Sequence, residues 1–150
     1  MTTDSIHIRE ATESDLPAIL ALYVEVGDDQ VLSIDQAQSL FARMKRYPDY
    51  HVYVATKEDV VIGTFALLIM DNLAHLGAPS GVVEDVVVSS AWQGHGIGKL
   101  MMQFALDRCC ERGCYKLALS SNLSREAAHR FYDSLGFERH GYSFRIMLGE

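Results

Sequence analysis

The sequence predicts an α+β fold on a mixed, mostly antiparallel central sheet, and three observations lead there. Two β-rich runs, residues 50–55 and 60–70, are separated by the polar Lys57-Glu58-Asp59, the layout of a hairpin. A strand at 82–89, a helical pattern at 96–112 and a strand at 115–119 demand a crossover, which makes those two strands parallel neighbours. The length, 150 residues with 49% hydrophobic composition, suits a single domain over 1–150 with one core.

In chain order, Ile6 and Ile8 mark a short first strand. Thr12-Glu13-Ser14-Asp15 follows as a helix start, with acidic side chains where the helix dipole favours them. Leu16, Ile19, Leu20 and Tyr23 recur at helical spacing, and a second helix is expected from Ser33 to about residue 46, stopped by Pro48. After the hairpin, a loop at 77–81 leads into the 82–89 strand. In the crossover helix Ile97, Leu100, Met101, Phe104 and Ala105 share one face, and Gly113 suits its C-terminal cap. Ala128, Phe131, Tyr132 and Leu135 mark a last helix closed by Gly136. Short strands near Phe137 and at 144–148 are expected to finish the chain.

Composition excludes several classes of function. A formal charge of −7 lacks the basic footprint that nucleic-acid binding needs. No run approaches the roughly 20 apolar residues of a membrane span, and residues 1–10 lack the layout of a secretory signal. The chain is therefore expected to be soluble and cytoplasmic. Cys109, Cys110 and Cys114 are odd in number and clustered, which argues against a disulfide framework. They read as small hydrophobes near a helix end, and no metal site is expected.

One stretch asks for a ligand: Ala91-Trp92-Gln93-Gly94-His95-Gly96-Ile97-Gly98-Lys99-Leu100 sets three alternate glycines between a strand end and a first helical turn. There the first N–H groups have no intrahelical partner and the dipole is positive. Phosphate is the natural occupant, and glycine lets it reach the backbone. A Walker A loop would need Gly at 93 and Ser or Thr at 100, where Gln93 and Leu100 stand. A dinucleotide fingerprint begun at Gly94 would need glycine where Lys99 stands.

The spacing that is present, Gln93-x-x-Gly96-x-Gly98 after a valine-rich strand, resembles the acetyl-CoA pyrophosphate loop of the GCN5-related N-acetyltransferase (GNAT) family. The resemblance runs from Arg9-Glu10-Ala11-Thr12 with Asp15 to Phe131-Tyr132-x-x-x-Gly136-Phe137, nearly the whole chain. It implies an α/β/α layered fold, with the parallel strand pair at the acetyl-CoA site, and acetyl-CoA as cosubstrate. The alternative reading, a plain strand-to-helix turn, would need only one glycine.

Carried over residue by residue, the resemblance makes Val86, Val87 and Val88 the strand that pairs with the pantetheine arm through its main chain. A bulge there would free an N–H for the thioester oxygen. Gln93, Gly94, His95, Gly96, Ile97, Gly98 and Lys99 become the pyrophosphate loop. Tyr132 matches the family tyrosine that gives its proton to the departing thiolate. A phenol of pKa about 10 stays protonated at neutral pH; by pattern alone, Tyr132 packs with Phe131 and Leu135.

For the base, period-two alternation sends Glu84 and Asp85 to opposite faces of the strand. Glu84, acting through water, is favoured because Glu84-Asp85-Val86-Val87-Val88 resembles the Glu-Asp-Ile-Ala-Val run of glucosamine-phosphate acetyltransferases; the alternative is a pair of solvated carboxylates. His75 and His129 are weaker candidates. The chain departs from the pattern at Arg125, where many members carry Asn; Asn122 stands three residues earlier. This part resembles aminoalkylphosphonate N-acetyltransferases, which assigns Asn122 and Arg125 to the coenzyme. An anionic acceptor, or plain solvent, is the alternative for Arg125.

The expected function is acetyl transfer to a primary amine of a small molecule, with amino-sugar-phosphate-like and aminoalkylphosphonate-like acceptors both admissible. A protein or peptide N-acetyltransferase and a non-catalytic acetyl-CoA-binding module are the alternatives. A homodimer is compatible with either.

Overall fold

Residues 5–121 and 125–149 are described by the computed structural model of the chain. They divide into two compact units, Met1–Ala118 and Leu119–Glu150. The first is built on a five-stranded sheet in sequence order: β1 (Ile6–Glu10), β2 (Tyr50–Lys57), β3 (Val60–Met70), β4 (Ser80–Val88) and β5 (Lys116–Leu119). Neighbours from β1 to β4 are antiparallel, and β4 and β5 form the expected parallel pair. The β2–β3 hairpin turns on Glu58 and Asp59, at φ 50° and 66°, the left-handed pair that a two-residue turn matching the strand twist requires.

Three helices flank this sheet: α1 (Leu16–Glu25), α2 (Ile34–Met44) and α3 (Ile97–Glu111). Asp15 sets the entry to α1. Its carboxylate takes the Arg9 guanidinium at 2.7 and 2.9 Å and the Thr12 N–H at 2.7 Å, stapling the end of β1 to the helix start. The Arg9 hydrogen bonds hold that carboxyl down to about 2. Ser33 and Gln36 form a reciprocal capping box at the start of α2.

One sheet face is covered by α1 and α2, where Leu16, Ile19, Leu20, Ala37 and Phe41 pack with Val54. The other face is covered by α3 through Ile97, Met101, Met102, Ala105 and Cys109. Phe104 sets its ring 4.9 Å from that of Tyr53. The approach of α3 is close because two strand positions lack side chains. A Cβ on Gly63 would lie 3.1 Å from the Met101 sulfur, and one on Gly81 would lie 2.4 Å from Cys109 Sγ. Burial pushes the Cys109 thiol up to about 12, which makes it the inert hydrophobe the sequence suggested. No helix among the described residues is long and apolar enough to cross a membrane.

The second unit holds α4 (Glu126–Ser134), closed by Gly136 at φ 91°. The short strands expected near Phe137 and at 144–148 are not formed: no strand occurs among described residues 137–149. Tyr142, Phe144, Ile146 and Leu148 alternate with period two, yet they are 89%, 90%, 86% and 89% exposed. Alternation marks only a face. A strand also needs a neighbour for its backbone groups, and residues 142–148 have no ladder to join among the described residues.

Candidate functional site

The register between β3 and β4 shifts in mid-strand. Ala66 faces Glu84 while Thr64 faces Val87, so Asp85 and Val86 together stand opposite Phe65, a β-bulge. Asp85 adopts φ 54° to make it. The bulge interrupts the two-residue alternation on which the opposite-face expectation for Glu84 and Asp85 rests. Val52 and Val54 belong to the α1/α2 face, and Glu84 shares that face as the cross-strand neighbour of Ala66, itself the neighbour of Val52.

The charge of Asp85 is felt by two tyrosines. Burial and then the Asp85 charge push the Tyr23 phenol of α1 up to about 12. Burial, Asp85 and Glu84, in that order, raise Tyr50 of β2. The extra residue and its left-handed backbone interrupt the two-residue period at Asp85, and the Glu84 and Asp85 side chains are both exposed.

Beyond the bulge, Val86, Val87 and Val88 are half-buried. Tyr115 donates its N–H to the Pro79 carbonyl at 2.9 Å, so β5, four residues long, starts level with the beginning of β4 and ends before the bulge. Beyond the level where β5 ends, no strand among the described residues pairs with the second edge of β4, the kind of edge an extended ligand can join.

The chain then turns through Ser90–Trp92 into the glycine loop. Gly96 caps α3 at φ 81° with no side-chain hydrogen bond, and the first helical bond runs from the Leu100 N–H to the Gly96 carbonyl. The N–H groups of Ile97, Gly98 and Lys99 thus lie at an uncapped, 15-residue helix start. Gly94 is also at φ 81°, and a Cβ there would meet nothing within 4 Å, so the loop faces open space. Lys99 and His95 are exposed, and His95 Nδ1 lies 3.2 Å from the Gln93 carbonyl. These features suit a phosphate group: N–H donors without an intrahelical partner, a dipole, one ammonium and no Cβ at Gly94 or Gly96.

Two anchors hold the loop. Gln93 donates its side-chain amide to the Val88 carbonyl at 3.3 Å. Glu25, at the end of α1, accepts the Ser90 N–H at 2.5 Å, Ser90 Oγ at 2.6 Å and Ser89 Oγ at 3.0 Å on a single carboxylate oxygen. The Ser90 bonds draw the Glu25 carboxyl below its usual range. Sequence reasoning missed Glu25, because nothing local marks a carboxylate whose partners lie 64 and 65 residues away.

In the second unit Tyr132 lies on α4, its ring 5.3 Å from Phe131 and 5.8 Å from Phe137. Burial raises its phenol and the Arg125 charge partly offsets this, so Tyr132 carries its proton at neutral pH. Arg125 is exposed at the N-cap position of α4. Asn122 lies outside the described residues. His75 stacks on Tyr115 with centroids 3.9 Å apart, and His129 sits half-buried in α4.

Comparison with known proteins gives consistent matches. The model of the acetyltransferase (GNAT) family matches residues 16–137. A glucosamine 6-phosphate N-acetyltransferase of Trypanosoma brucei brucei is 28% identical over 144 residues, covering 95% of this chain and 96% of that protein. An aminoalkylphosphonate N-acetyltransferase of Salmonella typhimurium is 27% identical over 94% of this chain and 90% of its own length. The solved structure of a putative acetyltransferase from Agrobacterium tumefaciens superposes with a TM-score of 0.89 at 32% identity, covering 95% of this chain and 99% of that one.

Proposed function

This chain belongs to the acetyltransferase (GNAT) family, and from that premise we propose that it moves an acetyl group from acetyl-CoA to the primary amine of a small molecule. It is an N-acetyltransferase. The observation that carries the acetyl-CoA reading is the uncapped start of α3 behind Gln93-x-x-Gly96-x-Gly98, whose donors and left-handed glycines fit a pyrophosphate.

Acetyl-CoA supplies an activated thioester. Gln93, Gly94, His95, Gly96, Ile97, Gly98 and Lys99 would hold its pyrophosphate, and Val86, Val87 and Val88 its extended arm, through main-chain groups. The cationic Arg125 is a further coenzyme contact, as is Asn122.

The chain's own residues supply the proton chemistry. An amine of pKa about 10 is an ammonium at neutral pH and must lose a proton before it can attack. Glu84, exposed beside the bulge, accepts that proton through water. Tyr132, whose phenol burial keeps protonated, gives the proton that a departing thiolate needs. The small-molecule acceptor follows from the relatives, which are named for acting on an amino-sugar phosphate and an aminoalkylphosphonate.

The test is calorimetric titration of acetyl-CoA into the protein and into Gly98→Val, a substitution in the first turn of α3 that blocks the backbone approach. Wild-type binding with sharply weaker binding by a variant of unchanged Tm supports the reading. Equal affinities would remove its basis.

A further inference from the structure

A cavity of about 380 Å³ opens between α1 and the connector leading to α2. Its volume suits a small ligand. Leu20, Val31 and Leu32 give it apolar walls, Gln30 and Gln36 contribute amides, and Asp28 contributes a carboxylate. Val31 and Leu32 are each 40% exposed, so apolar lining stands open to solvent. Tyr23 ties this cavity to the sheet face of the bulge: it lines the cavity, accepts the Asp28 N–H on its carbonyl at 3.0 Å, and packs with Val52 against the α1/α2 core, on the face that Glu84 shares. Asp28 at the cavity and Glu84 on β4 thus mark one acidic tract on this side of the sheet.

We propose that this cavity selects a linear aliphatic amine bearing a second ammonium group, an alkanediamine-like acceptor, rather than a phosphorylated or phosphonylated one. The inference rests on the reading of the chain as an N-acetyltransferase. The reacting amine lies at the bulge beside Glu84 and Asp85. The methylene chain runs over Leu20, Val31 and Leu32, and the second ammonium meets Asp28. Among the described residues, the carboxylates of Asp28, Glu84 and Asp85 enter no ion pair, so their charge is available to a cationic ligand. A phosphate placed in the same tract would meet like charge, which discriminates against it.

The experiment follows thiol release from acetyl-CoA with four acceptors: tetramethylenediamine, n-butylamine, glucosamine 6-phosphate and aminoethylphosphonate. The diamine should give the highest kcat/KM, and its advantage over n-butylamine should shrink as salt screens the pair. Asp28→Asn should raise KM for the diamine roughly fivefold, the loss of one partly exposed charge pair, and reduce its advantage over n-butylamine by the same factor. A higher kcat/KM for either phosphorus-bearing acceptor would overturn the inference while leaving the N-acetyltransferase reading intact, as would an equal loss on both amines in Asp28→Asn. No turnover of any amine by a protein that binds acetyl-CoA would overturn the catalytic reading itself, and this inference with it.

Discussion

Replacing Gly81 by alanine tests how the sheet carries the site. Gly81 lies in β4, three residues before Glu84, where α3 presses on the strand. The added Cβ would sit 2.4 Å from Cys109 Sγ and 3.2 Å from Leu117 Cδ1. The sulfur contact is about 1 Å short of ordinary van der Waals distance. Cys109 is 4% exposed and its sulfur is tied to the helix backbone through a single rotatable bond, so it has little room to yield. Overpacking of this kind costs about 1–3 kcal/mol. For a chain of this length that lowers Tm by about 2–12 °C.

The assay is thermal unfolding of wild type, Gly81→Ala, Cys109→Ala and the double variant. Cys109→Ala alone loses about 1 kcal/mol of buried surface, and in the double variant it should recover most of the Gly81→Ala deficit. A Gly81→Ala protein that melts with wild type, or additive losses in the double variant, would refute the close approach of α3 to β4.

Three further outcomes are expected. Glu84→Gln should lower the rate most near neutral pH and progressively less as pH approaches the amine's own pKa, whereas Asp85→Asn should chiefly raise the acceptor KM; a flat Glu84→Gln deficit would mean a positioning role, and a pH-dependent Asp85→Asn deficit would make Asp85 the base. Tyr132→Phe should cut kcat roughly a hundredfold with acetyl-CoA affinity kept; unaltered turnover would reduce Tyr132 to packing. The Asp15 carboxyl is held at about 2 in the folded chain against 3.8 for the free group, so its contribution is present above about pH 4 and is lost as pH falls towards 2. Asp15→Asn should therefore cost about 1–2 kcal/mol at pH 7 and much less at pH 2, read by urea unfolding at both pH values.

Where one physical cause acts locally, the sequence was legible. The β2–β3 hairpin, the Ser33 cap and the helix behind Gly96 each follow from neighbouring residues alone. The bulge at Asp85 was not legible from alternation, because a bulge is one added residue whose effect is defined by the partner strand. Both Glu25 and the acidic tract through Tyr23 depend on chain segments far apart in sequence. At the other end of the chain, 144–148 shows a strand's alternation without the pairing that makes a strand. The glycine loop was the most legible part of the candidate site, since its chemistry resides in backbone N–H groups and in the side chains left out.

The central claim is tested most directly by supplying purified protein with acetyl-CoA and a panel of small primary amines, following free thiol, and weighing the products by mass spectrometry. The account predicts thiol release that depends on the amine, matched mole for mole by N-acetylated product, and abolished when the glycine loop no longer binds acetyl-CoA. Thiol release that is independent of every amine, or bound acetyl-CoA with no acetylated product, would contradict it.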